Sequence, residues 1–125
     1  MTPIQKWALA IQICEGAQPE LCNPGNLKLT TLTQSWGASA GFDATDGGVI
    51  AKFPTYEIGL QALENFLQLG CENELLAFHS PAARTLGGFT AIYAGNPPAN
   101  YLNTVCMILQ ATPETQISTF IEKVA

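Results

Sequence analysis

The sequence predicts a mainly α-helical domain with one small, irregular β hairpin inserted. Two observations predict it. Apolar residues recur at three- and four-residue spacing in several separate stretches, most of them opened by a helix-start signal. Between two of these, residues 27–53 lose that period and mix Thr, Ser and Gly with short apolar pieces such as Val49-Ile50-Ala51.

The first helix begins at the chain start. Thr2 suits the N-cap, Pro3 suits the first helical position, and Gln5 completes a capping box with Thr2. Ile4, Trp7, Ala8 and Ile11 form the buried stripe, which makes Trp7 a core residue. Gly16 stops the helix. Residues 16–26 hold Gly16, Pro19, Pro24 and Gly25 and read as a loop. The hairpin in 27–53 is expected to turn near Asp46-Gly47-Gly48.

Residues 55–69 form a second helix. Tyr56, Gly59, Leu60, Leu63, Phe66 and Leu67 line its inner face, and Glu57, Gln61, Glu64 and Gln68 line its outer one, so Glu64 reads as a solvated acid. Shorter helices are expected at Glu72–Phe78, at Leu86–Tyr93 despite Gly87 and Gly88, and at Pro98–Leu109 with Tyr101, Leu102, Val105 and Leu109 on one face. A last helix opens at Thr112-Pro113 and buries Ile117, Phe120, Ile121 and Val124. No repeat, low-complexity tract or linker divides the chain, so residues 1–125 read as a single domain.

Composition excludes several function classes. Hydrophobic residues make up 47% and charged residues 12% of the 125, which argues against disorder. The net charge is −5 with five Lys+Arg and no basic cluster, so no nucleic-acid partner is expected. No apolar run approaches the roughly 20 residues of a membrane span, and no membrane insertion is expected. One Lys followed by an amphipathic helix does not read as a signal peptide, which predicts synthesis in the cytoplasm unless another device exports the protein. Cys14, Cys22, Cys71 and Cys106 are too scattered for a disulfide scaffold and read as buried thiols, the alternative being a bridge that braces the loop after Glu15. His79 is the sole histidine and no CxxC occurs, so neither a metal nor another cofactor is expected.

Glu15 is the candidate catalytic group. At about 100° per residue it falls on the side of Ile4, Ala8 and Ile11. A carboxyl there is expected to be partly desolvated, which favours its proton-carrying form and suits a general acid. The alternative is an outward turn at the helix end or a pairing with a buried donor. Gly25 permits a positive φ and close backbone approach, and Asn23 and Asn26 offer amides to sugar hydroxyl and acetamido groups, unless they only cap the turn. Trp36 lies in a Gly- and Ser-rich stretch, where its indole either stacks on a sugar or lids the β region. Asp43 and Asp46 are the candidates for a second carboxylate, or else turn residues.

The order of these segments resembles the lysozyme-like superfamily, which includes goose-type lysozymes and lytic transglycosylases. The resemblance is stronger to small phage and prophage-encoded members. It rests on Glu15-Gly16, then Asn23-Pro24-Gly25-Asn26-Leu27, then the run Asp46 to Leu63 through Phe53-Pro54, and last the run Phe89 to Leu102 through Tyr93-Ala94-Gly95-Asn96-Pro97-Pro98. It implies a lysozyme-like α+β fold and cleavage of the β-1,4 bond between N-acetylmuramic acid and N-acetylglucosamine in peptidoglycan. Glu15 would be the acid. Tyr93 would hold Glu15 or a sugar amide, although Tyr93-Ala94-Gly95-Asn96 departs in order from the superfamily's Tyr-Asn-Ala-Gly-like stretch. A muramidase needs a second carboxylate at about 6.5–9.5 Å for inversion, or a closer one for retention. A lytic transglycosylase needs only the acid, because the muramyl C6 hydroxyl attacks internally.

The resemblance also implies action at the bacterial cell wall, with peptidoglycan glycan strands as partner. Wall polymers are mostly anionic and would repel a −5 chain at long range. Delivery within a phage particle, in contact with virion proteins, or release through a membrane lesion would remove the need for charge attraction. The other expectation is a non-catalytic lysozyme-like module for glycan binding or virion structure.

Overall fold

The structure, a computed structural model, describes residues 1–121. Among them it is mainly helical, with a two-stranded antiparallel sheet. No described helix is long and apolar enough to cross a membrane. The chain divides into two compact units, residues 11–65 and residues 1–10 with 66–121.

Helix α1, Pro3–Glu15, starts as its sequence dictates. The Gln5 N–H donates to Thr2 Oγ1 at 3.1 Å and the Thr2 N–H donates to Gln5 Oε1 at 2.9 Å, a reciprocal capping box. Ile4, Trp7, Ala8 and Ile11 are buried. The helix ends where Gly16 takes φ 57°.

In the unit of residues 11–65, a 3-10 turn at Pro19–Leu21 leads to α2, Thr31–Ser35. The sequence did not announce α2. Five residues are too few to show a period, and Thr and Ser are weak helix formers. Its own capping box holds it, with the Thr33 N–H on Thr30 Oγ1 and the Thr30 N–H on Thr33 Oγ1. Thr33 also donates its hydroxyl to the Lys28 carbonyl at 2.9 Å, which explains a buried threonine.

Strands β1, Ser39–Asp43, and β2, Val49–Lys52, form the expected hairpin around residues 44–48. Ala40 faces Ala51 and Asp43 faces Val49, so β1 carries one extra residue, a bulge. Gly41 sits in it, where a Cβ would lie 2.6 Å from the Ile50 carbonyl oxygen. Helix α3, Tyr56–Cys71, follows, capped by Thr55. A Cβ on Gly59 would lie 1.7 Å from the Cys22 carbonyl oxygen, so only glycine lets α3 meet the loop after α1 there. Leu63 and Leu67 are buried as expected, but Tyr56 is 42% exposed and does not belong to the inner face.

The other unit packs around aromatic rings. Trp7 is 0% exposed and lies with its ring 5.0 Å from Phe89 and 5.2 Å from Phe120. Phe78 stacks on Phe89 at 4.1 Å. Residues 72–78 do not form the expected helix. Asn73, at φ 62°, terminates α3, and a 3-10 turn at Leu76–Phe78 follows. Helices α4, Leu86–Ala94, and α5, Ala99–Leu109, match expectation. The glycines of α4 serve contact, since a Cβ on Gly88 would lie 1.7 Å from the Ala82 carbonyl oxygen. Thr112-Pro113 opens a turn rather than a helix, and Ile117–Phe120 is a 3-10 turn. Ile117 and Phe120 are buried and Ile121 is half-buried; Val124 lies outside the described residues.

Candidate active site

The site is assembled from the end of α1 and the loop after it, both within residues 11–65. The Asn23-Pro24-Gly25-Asn26 segment is a turn closed by the Asn26 N–H on the Asn23 carbonyl, 3.1 Å away. Asn23 holds this turn to the sheet. Its Nδ2 donates to the Leu27 carbonyl at 2.9 Å and the Ala51 carbonyl at 2.8 Å, and its Oδ1 accepts the Leu27 N–H at 3.0 Å. At 1% exposed and with both N–H groups committed, Asn23 has no donor for a sugar. The capping alternative describes it, and the sugar contact expected of it is corrected. Gly25 is buried beside it.

Asn26 adopts the left-handed conformation at φ 51°. Its Nδ2 donates to Glu15 Oε1 at 3.1 Å and lies 3.4 Å from the Glu15 main-chain oxygen. Two candidates eleven residues apart are thereby joined, and Asn26 binds the acid itself. Glu15 is half-buried at the last position of α1. Beside it, burial pushes the Cys14 thiol above its ordinary range, with the Glu15 charge adding to the effect. The four cysteines form no disulfide; Cys71 is buried and the other three are half-buried, so the expectation of burial holds for one.

A cleft of about 430 Å³ opens alongside, lined by Gln12, Gly16, Ala17, Gln18, Pro19, Cys22, Asn23, Pro24 and Tyr56. Among the described residues no charged side chain lines it. The Tyr56 hydroxyl donates to Gln12 Oε1 at 2.7 Å and ties the start of α3 to the last turn of α1. Sequence reading missed Gln12 and Tyr56. Gln12 stands three residues before Glu15 on the same helix, a signal that could have found it.

No family model, curated protein or solved structure matches this chain.

The other candidates divide. Trp36 is half-buried, closes α2 and does not line the cleft. Asp46 is exposed at the hairpin tip and pairs with Lys28 at 3.1 Å, which holds its carboxyl below the usual range and makes it a weaker base. Asp43 is exposed at the end of β1. Tyr93 belongs to the other unit, in its ring cluster, 5.7 Å from Phe66 and 6.2 Å from Phe89. Glu64 is half-buried rather than solvated, and burial pushes its carboxyl up. Among the described residues no three His, Cys, Asp or Glu side chains gather as a metal site.

Proposed function

We propose that this chain is a lysozyme-like, peptidoglycan-cleaving glycosidase that acts on the bond between N-acetylmuramic acid and N-acetylglucosamine. The observation that carries the reading is the half-buried Glu15 at a helix end, held by the Asn26 amide. Glu15 would give its proton to the glycosidic oxygen as the C1–O bond breaks. In a lytic transglycosylase the muramyl C6 hydroxyl then attacks C1 and returns its proton to the Glu15 carboxylate. In a muramidase, water takes that place with help from a second carboxylate. The exposure of Asp43 and Asp46, and the Lys28 pair of Asp46, weigh toward the single-acid scheme. Trp36, Gly25 and Tyr93 keep a proposed role in substrate binding on sequence grounds.

A second reading, a non-catalytic module for glycan binding or virion structure, is favoured by one feature of the same contact. The Asn26 amide also reaches the last carbonyl of α1, as a purely structural helix cap would. Glu15→Gln separates the two, because it keeps shape and a hydrogen-bond acceptor but carries no transferable proton. Clearing of purified cell-wall sacculi that is lost in the variant, with wall binding retained, supports the enzyme. Identical behaviour of both proteins leaves the module. Delivery by a phage particle is a further part of the proposal, motivated by the −5 charge. Copurification with virions supports it, and free secretion from a host without phage contradicts it.

A further inference from the structure

We propose that the cleft beside the end of α1 is a seat for one uncharged N-acetylated sugar ring, with the Gln12 amide as donor to the acetamido carbonyl and the Tyr56 ring as the surface the sugar stacks on. This deepens the glycosidase reading and rests on it for the identity of the glycan; the chemistry of the cleft comes from its own lining.

Two anchors preform the cleft, both within residues 11–65. The first is the Asn23-Pro24 turn, which lines it and is pinned to β2 by the Asn23 amide on the Ala51 carbonyl. The second is Gly59. Lacking a Cβ, it lets the first turns of α3 close on the Cys22 carbonyl oxygen, which a Cβ would meet at 1.7 Å. Tyr56 stands three residues earlier, on the same face of α3. The close approach at Gly59 therefore brings the Tyr56 ring to the loop that follows α1. Its hydroxyl then reaches Gln12 Oε1 at 2.7 Å.

That hydrogen bond joins two part-exposed side chains and adds little to stability. What it does is choose which end of the Gln12 amide faces a ligand. Tyr56 takes Oε1, and among the described residues nothing takes Nε2, which keeps two N–H donors. A donor of this kind calls for an oxygen acceptor. An anionic one is disfavoured, because among the described residues no cation lines the cleft and the chain carries a net charge of −5. Beside the donor, the 42% exposed Tyr56 ring and two prolines, Pro19 and Pro24, offer apolar surface. The matching ligand has a carbonyl acceptor, an apolar C–H face and no charge, as an N-acetylhexosamine does. A cleft of about 430 Å³ falls within the roughly 300–1,000 Å³ of small-ligand sites.

The test is NMR of the protein titrated with the N-acetylglucosamine tetramer. The Gln12 Nε2 and Tyr56 ring signals are expected to shift together. Cellotetraose, with a hydroxyl in place of each acetamido group, is expected to bind about 3–10-fold more weakly. Gln12→Ala is expected to abolish that preference, so that the two tetramers bind alike. Tyr56→Ala is expected to weaken both by about tenfold, and Tyr56→Phe, which keeps the ring, to weaken them by less. Both positions are part-exposed, and the spectrum of each variant reports its fold. Gln12 and Tyr56 signals that ignore the sugar overturn the proposal, and so does an acetamido preference that survives Gln12→Ala. Shifts caused instead by an uncharged tetrapeptide amide, with the sugar silent, overturn it in favour of a peptide site. The two readings fail separately. Sugar bound at Gln12 and Tyr56 by a protein that releases no muropeptides upholds the seat and sinks the glycosidase. Muropeptides released while these signals stay unmoved by the sugar sink the seat alone.

Discussion

Replacing Asn23 by alanine is expected to unfold the loop that carries the candidate site. The side chain is almost wholly buried and makes three hydrogen bonds of 2.8–3.0 Å, one to Ala51 of β2 and two to the main chain of Leu27. Alanine leaves the Leu27 N–H without its acceptor, at about 2 kcal/mol for a stranded buried donor. The Leu27 carbonyl keeps the Ala51 N–H at 2.9 Å, so its loss, like that of the Ala51 carbonyl, is about 1 kcal/mol. The total, about 4 kcal/mol, is a large share of the 5–15 kcal/mol that typical domains possess. It corresponds to a fall in Tm of about 10–20 °C. Urea unfolding followed by tryptophan fluorescence reads it, and a Trp7→Phe background leaves Trp36 as the reporter for residues 11–65. A loss below about 1 kcal/mol would refute the reasoning, because it would mean that Asn23 is not the bracket between the turn and the sheet.

Other outcomes follow from the same geometry. Gly59→Ala puts a Cβ against the Cys22 carbonyl oxygen and is expected to cost at least about 2 kcal/mol, or to prevent folding; wild-type stability in a denaturant titration would contradict the close approach. Burial pushes the Cys71 thiol up to about 12, and its sulfur donates to the Ile117 carbonyl, so a thiol reagent at pH 8 is expected to label Cys71 last in the native protein. Equal rates at all four cysteines would argue against that packing. Burial raises the Glu64 carboxyl above its ordinary 4.5, so the folded state binds the extra proton and stability falls as pH rises through that window. Glu64→Gln is therefore expected to raise Tm more at pH 7 than at pH 4, and a gain equal at both would show that desolvation is not the cause.

Local signals in the sequence were strong where one residue decides the outcome. Thr2, Pro3 and Gln5 specify the start of α1 within five residues, and Gly16 specifies its end. The long apolar periods of α3 and α5 needed no tertiary information. Short elements were less legible. Helix α2 is held by a threonine pair and a buried contact to Lys28, neither of which leaves a period, and Glu72–Phe78 looked helical because the left-handed Asn73 has no distinctive neighbour. Candidate residues were legible by type and not by task. Asn23 and Asn26 sit in one turn, yet one is consumed by main-chain groups and the other meets Glu15. That division depends on where β2 and the end of α1 arrive, which no local pattern encodes. The spacing of Tyr56 places it on the apolar stripe of α3, whereas the residue is 42% exposed and its hydroxyl finds Gln12, 44 residues away.

The most direct measurement is mass spectrometry of the soluble products released from peptidoglycan by the wild-type protein and by Glu15→Gln. The proposal predicts muropeptides from the wild type and none from the variant. Anhydro ends among them would assign a lytic transglycosylase, and reducing ends a muramidase that must draw on Asp43, Asp46 or another base. No products from several wall types, or the same products from both proteins, would contradict the role given to Glu15.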